Sequence, residues 1–214
     1  LGVEGDQVAF YSGLAISVSA ISAAFVSPIW GILADKYGRK PMMIRAGLAM
    51  TITMGGLAFV PNVFWLLFLR FLNGVFTGFV PNATALIASQ VPKDRSGYAL
   101  GTLSTGVVAG TLTGPFVGGL IAEFFGIRNV FLLVGSFLFL AAILTILFIK
   151  EDFQPVPKEK ALPTKELFTS VKYPFLLINL FLTSFVIQFA AQSIGPILAL
   201  YVRDLGQKEN LLFV

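Results

Sequence analysis

The 214 residues include no cysteine and no histidine. Without thiols there are no disulfides and no cysteine nucleophile; without imidazoles the commonest general base and the usual zinc ligands are gone. Charge is scarce as well: Asp, Glu, Lys and Arg make up 12% of the chain, against 56% hydrophobic residues. That is too little polar surface to coat a water-soluble globule, so the chain belongs in a membrane. Its long apolar runs contain no Asp or Glu, which leaves a membrane-embedded enzyme without acid, base or metal cluster. The sequence therefore reads as a non-enzyme with no cofactor and no metal.

What the chain has in plenty is apolar runs of about twenty residues, each long enough at about 1.5 Å per residue to cross a hydrocarbon core of about 30 Å. Six are legible: 11–33, 42–60, 64–90, 98–122, 130–149 and 174–202. The fold class that follows is all-α, a polytopic transmembrane helical bundle. Of the 15 basic residues, eleven fall in the segments 35–45, 91–97 and 150–172, three in the segments on the opposite side, and one, Arg70, is counted within a span. This asymmetry assigns the three basic segments to the cytoplasm. The net charge of +4 then serves orientation and lipid headgroups, not nucleic acid.

Residues 150–173, mixed in charge and carrying Pro155, Pro157 and Pro163, are expected to form a cytoplasmic linker. Residues 1–149 before it make an N-terminal bundle, and 174–214 the first helix and following loop of a C-terminal one. The chain opens on Leu1 with neither an initiator methionine nor a basic signal-peptide start, so it is expected to be a piece of a longer chain. Its two ends lie outside by the loop count, so one helix is expected to precede it, making 1–149 five helices of six. Leu1-Gly2 and Leu205-Gly206 open similar stretches, which points to two similar halves.

Four places stand out. Residues 31–40 hold three of the 15 basic residues and one of the 11 acidic ones between two apolar runs. They read as a tight surface loop with Gly38 at the turn, either an anchor that stays in water or a moving part. Arg70 would cost about 2.5–3.5 kcal/mol at a membrane centre. Gly74, Gly78 and Asn82 follow it at four-residue intervals with Asn73 and Thr77 beside them, a small polar face suited to a wet cavity. The competing reading is an arginine that snorkels to the headgroups. Gly106, Gly110, Gly114 and Gly118, with Pro115 and Gly119, form a ridge for static close packing or for a helix that flexes. Ser184, Gln188 and Gln192 share a face that could meet a substrate or another helix.

These residues carry a resemblance. Gly31-x-Leu33-Ala34-Asp35-Lys36-x-Gly38-Arg39-Lys40 resembles the signature loop after the second helix of the major facilitator superfamily. Leu66-x-x-x-Arg70-x-x-Asn73-Gly74 resembles its fourth-helix motif, with Asn73 where glutamine is usual. Gly110-x-x-x-Gly114-Pro115-x-x-Gly118-Gly119 is similar to the fifth-helix motif of the drug:proton antiporter families. The stretches 78–83, 85–88, 99–106 and 196–203 narrow the resemblance to multidrug efflux proteins within those families.

The resemblance implies a twelve-helix major facilitator fold, of which this chain holds helices two to seven. It also implies a secondary transporter that exports drugs by alternating access in exchange for protons. Gly31, Asp35, Gly38, Arg39, Lys40, Gly110, Gly114, Pro115, Gly118 and Gly119 would govern switching. Arg70, Asn73, Asn82, Gln188 and Gln192 would line the cavity. The implied partners are drug-like small molecules, protons and membrane lipids, and the implied state is a monomer. The alternative within the superfamily is an exporter of a sugar or another small metabolite.

Overall fold

A computed structural model describes residues 6–153, 175, 176, 178–191 and 193. All regular structure among them is helical. The helices are α1 (Asp6–Tyr37), α2 (Arg39–Gly56, continued by the 3-10 turn Leu57–Phe59), α3 (Val63–Phe76), α4 (Phe79–Gln90), α5 (Lys93–Phe125) and α6 (Ile127–Phe148), followed by α7 (Ile178–Ala191). Five spans are long and apolar enough to cross a membrane: 10–37, 39–59, 63–90, 93–125 and 127–148. The sixth apolar run is represented by the 14 residues of α7 with 175, 176 and 193, and the rest of it, like most of the 150–173 segment, lies outside the described residues.

The chain divides into two compact units, one comprising residues 14–155 with 1–2, the other 3–13 with 156–214. In the first unit most buried residues are small, and many of the largest apolar side chains are exposed. Ala34, Ala46, Ala142, Thr53, Thr145 and Ser22 are buried, while Phe25, Phe64, Phe116, Phe124 and Phe148 are at least 70% exposed. This inverts a soluble core. Lipid solvates phenylalanine as well as a protein interior does, so helices associate through residues that let backbones come close.

α2 and α6 pack extensively on each other, and their seam shows why. A Cβ added to Gly47 would stand 3.0 Å from that of Ala142, and one added to Gly135 would stand 3.1 Å from the Gly55 Cα. Met43, Ala83 and Leu86 bring α2 and α4 together, with Phe79, Leu103 and Ile149 around them.

Three expectations change. The 31–40 stretch is no loop: α1 continues through Tyr37, α2 begins at Arg39, and only Gly38 is non-helical. Its φ of +100° is open to glycine and strained for any other residue. Arg45, counted with the 35–45 basic segment, lies in the second turn of α2, so Arg70 is not the sole charge in a span. The run 64–90 is not one helix, because the chain breaks at Thr77 and Gly78, the latter with φ +127°.

Candidate functional site

A helix broken inside a membrane exposes carbonyls that must find donors within the protein. The end of α3 meets this demand with side chains from α1 and α2. The Trp30 indole Nε1 donates to the Val75 carbonyl at 2.7 Å, and Arg45 Nη2 donates to the Thr77 carbonyl at 3.3 Å. One turn earlier, Ser19 Oγ donates to the Arg70 carbonyl at 2.9 Å and Ser22 Oγ to that of Phe71 at 3.1 Å. Beyond the break, the Gly78 carbonyl accepts from both the Asn82 backbone N–H at 3.2 Å and its Nδ2 at 2.7 Å. The break is thus held in a fixed shape.

Arg45 also lies over the Trp30 ring, with its Cζ 3.4 Å from the ring centre. A half-buried guanidinium on an indole face gains about 1–2 kcal/mol. Trp30 consequently has its edge on α3 and its face on α2, although it belongs to α1. Arg45 Nε and Nη1 are buried without a hydrogen-bond partner among the described residues.

Beside this junction lies a groove of about 430 Å³, in the size range of small-ligand sites. On α1 it is bordered by Ala20, Ala24, Ser27 and Trp30; across from them are Gly74, Gly78 and Asn82. The volume exists because side chains on both walls are short. The walls offer apolar surface, an aromatic ring and a few polar groups, a combination suited to a flat, largely apolar small molecule.

Of the cavity residues expected from the sequence, Asn82 borders the groove and is 6% exposed. Arg70 and Asn73 stand apart from it. The Asn73 Oδ1 accepts from Thr53 Oγ1 at 3.1 Å, which ties α3 to α2, and Arg70 has a buried Nε without a partner among the described residues. Gln188 is exposed on α7 in the second unit, and Gln192 lies outside the described residues. Among the switching residues, Gly31 and Arg39 border the groove, and Arg39 donates to Asp35 across the Gly38 turn. Lys40 Nζ donates to the Ile146 carbonyl at 3.0 Å. Pro115 lies within α5. An added Cβ at Gly110, Gly114 or Gly119 meets nothing described within 4 Å, and one at Gly118 meets only Val130.

Trp30, Arg45, Ser19 and Ser22 escaped the sequence reading. Trp30 is one of two tryptophans, set among small residues, and that contrast was the available signal. For Arg45 no signal separated a buried stacking residue from a loop cation.

Five membrane-length spans, one of them broken at Thr77–Gly78, and a one-residue turn between α1 and α2 make a polytopic helical membrane protein. The chain belongs to the Major Facilitator Superfamily, whose family model matches residues 6–214. Over its whole length it is 88% identical to "Multi-drug resistance efflux pump PmrA" of Streptococcus pneumoniae, covering 54% of that protein. It is 54% identical to the PmrA homolog of Lactococcus lactis, covering 53% of it, and 50% identical to "Multidrug resistance protein MdtG" of a Rahnella species, covering 52%. The chain spans about half the length of these relatives. They are of the group that the stretches 78–83, 85–88 and 99–106 resemble. This membership, with the five membrane-length spans, makes it a multi-pass protein of the plasma membrane in a family of transporters.

Proposed function

We propose that the protein is a secondary transporter that exports drug-like, largely apolar small molecules by alternating access, driven by inward proton flow. The observation that carries this reading is the groove of about 430 Å³ between α1 and the broken α3–α4 pair, in a chain whose relatives are named as multidrug efflux pumps. Such a groove binds by shape and apolar contact, with few directional polar groups to demand one ligand. The glycine turn at 38 and the glycine ridge of α5 are the elements that would permit rocking of one bundle against another. Proton coupling rests on resemblance alone. The six apolar runs read from the sequence contain no acid; Asp35, in the last turn of α1, is the carboxylate of the signature turn.

Reconstituting the whole protein in proteoliposomes tests the reading. Saturable flux of a lipophilic dye that rises with an imposed pH gradient is expected. Gradient-independent ohmic conductance would instead indicate a channel, and flux confined to sugars the metabolite alternative.

Arg70 gives a narrower check. Arg70→Ala is expected to lower dye efflux severalfold more than Arg70→Lys, because lysine keeps the cation while alanine removes both charge and bulk. Equal efflux in both variants and the wild type would mean that Arg70 only snorkels.

A further inference from the structure

The α1–α2 turn is closed by a residue more than a hundred positions away. The Glu151 carboxylate accepts from the backbone N–H groups of Arg39 at 2.6 Å and Lys40 at 2.7 Å, one on each oxygen. These are the first two residues of α2, whose N-cap is Gly38 and whose first turn contains no acidic residue. Two of the donors that every helix leaves open at its start are therefore satisfied by a carboxylate from beyond α6. The exchange is reciprocal. Lys40 Nζ reaches the Ile146 carbonyl in the last turn of α6, where a cation suits the negative helix end.

Two further observations show that Glu151 is placed there. With its amide oriented to match its neighbours, Gln90 at the end of α4 donates to the Lys150 carbonyl at 3.2 Å and accepts from the Asp152 N–H at 2.8 Å. It thereby brackets Glu151 on both sides. Gly38, besides its positive φ, has no room for a side chain: an added Cβ would lie 2.8 Å from Glu151 Oε2. The start of α2 is thus tied to the chain leaving α6 through the Glu151 carboxylate, and the end of α4 is tied to the same chain through the backbone on either side of Glu151.

We propose that Glu151 is a positioning residue for the signature turn. It fixes the backbone of Arg39 and Lys40, and through it the Asp35–Arg39 pair, to the chain leaving α6, so that displacement of that chain is passed to the turn. Glu151 touches no substrate and acts through the turn alone. The proposal rests on the reading of residues 31–40 as a switching element.

The test is hydrogen exchange of the whole protein in lipid nanodiscs, followed in peptides spanning residues 38–43, with dye efflux measured on the same variants. In Glu151→Ala the Arg39 and Lys40 amides are expected to exchange at least about tenfold faster, since their only acceptor among the described residues is gone. Glu151→Gln, which keeps one acceptor oxygen, is expected to fall between alanine and wild type. Efflux should decline in the same order, and adding Glu151→Ala to Asp35→Asn should cost little more than Asp35→Asn alone. Unchanged exchange in Glu151→Ala overturns the cap. Faster exchange with wild-type efflux, in an assay where Asp35→Asn is inactive, overturns the positioning role. Normal efflux by Asp35→Asn overturns the switching reading on which the proposal rests. Glu151→Gln keeps the comparison available should the alanine variant fail to fold.

Discussion

Replacing Asp35 by asparagine is expected to lower efflux by the whole protein at least about tenfold, equivalent to about 1.4 kcal/mol, without loss of membrane insertion. The expectation comes from how little Asp35 does for the fold. Its carboxylate accepts from Arg39 one turn away, and its side chain is 59% exposed. Exposed pairs of this kind contribute about 0.3–0.5 kcal/mol on helices. Asp35 also occupies the last turn of α1, the negative end of a helix, where a carboxylate is mildly disfavoured. Asparagine has nearly the same shape, removes the charge and turns one acceptor oxygen into a donor. A large transport defect in a normally inserted variant would thus place the role of the charge in a different conformation, one in which the carboxylate meets a partner of opposite sign. Membrane-inserted protein and dye efflux, measured together, decide it: normal efflux at normal insertion removes Asp35 from the switch.

Gly74→Ala is expected to be the most damaging single methyl group in the first unit. The added Cβ would land on the Ser22 hydroxyl and on the Ser19 backbone oxygen, both of which face α3 at its closest approach to α1. A flexible side-chain tip can turn aside, but a backbone oxygen cannot, so α1 and α3 must separate. Separation would draw Ser19 and Ser22 from the carbonyls of Arg70 and Phe71 and weaken the Trp30 bond to Val75. Overpacking of this kind costs about 3 kcal/mol, here with hydrogen bonds lost in addition. A lowered thermal midpoint of the purified protein and loss of efflux are the expected readings. Ser22→Ala should not rescue the variant, because the second obstacle is backbone. Gly97→Ala, where an added Cβ meets nothing within 4 Å, should match the wild type. A Gly74→Ala protein as stable as Gly97→Ala would show that α1 and α3 do not approach this closely.

The legible part of this protein followed from patterns local in the chain. Runs of apolar residues are helices in lipid because no other arrangement of one segment satisfies its own backbone, so the five described spans could be read off directly. Gly38 announced a turn for a similarly local reason. What local pattern could not show was how little turn there is. Charge density made residues 31–40 look like a loop, yet charged side chains ride on the ends of helices that outrun the membrane. α1 has 32 residues, about 48 Å at 1.5 Å each. The break at Thr77–Gly78 was hidden for the opposite reason, since a glycine within an apolar run is as common in an unbroken membrane helix as in a broken one.

The sequence by itself determined the class: a membrane protein of helices, its family through the motifs at 31–40, 66–74 and 110–119, and Asp35 with Gly38 and Arg39 as one local unit. Each depends on composition, period or spacing within a few turns. Only the tertiary structure decided which residues serve the broken helix and the turn. Trp30, Arg45 and Glu151 donate or accept across 45, 32 and 112 positions. A backbone carbonyl or N–H left open by a helix end carries no mark in the sequence, because every residue but proline has both. Its partner is whichever side chain the packing of Gly47 on Ala142, and of Gly74 on α1, brings within reach.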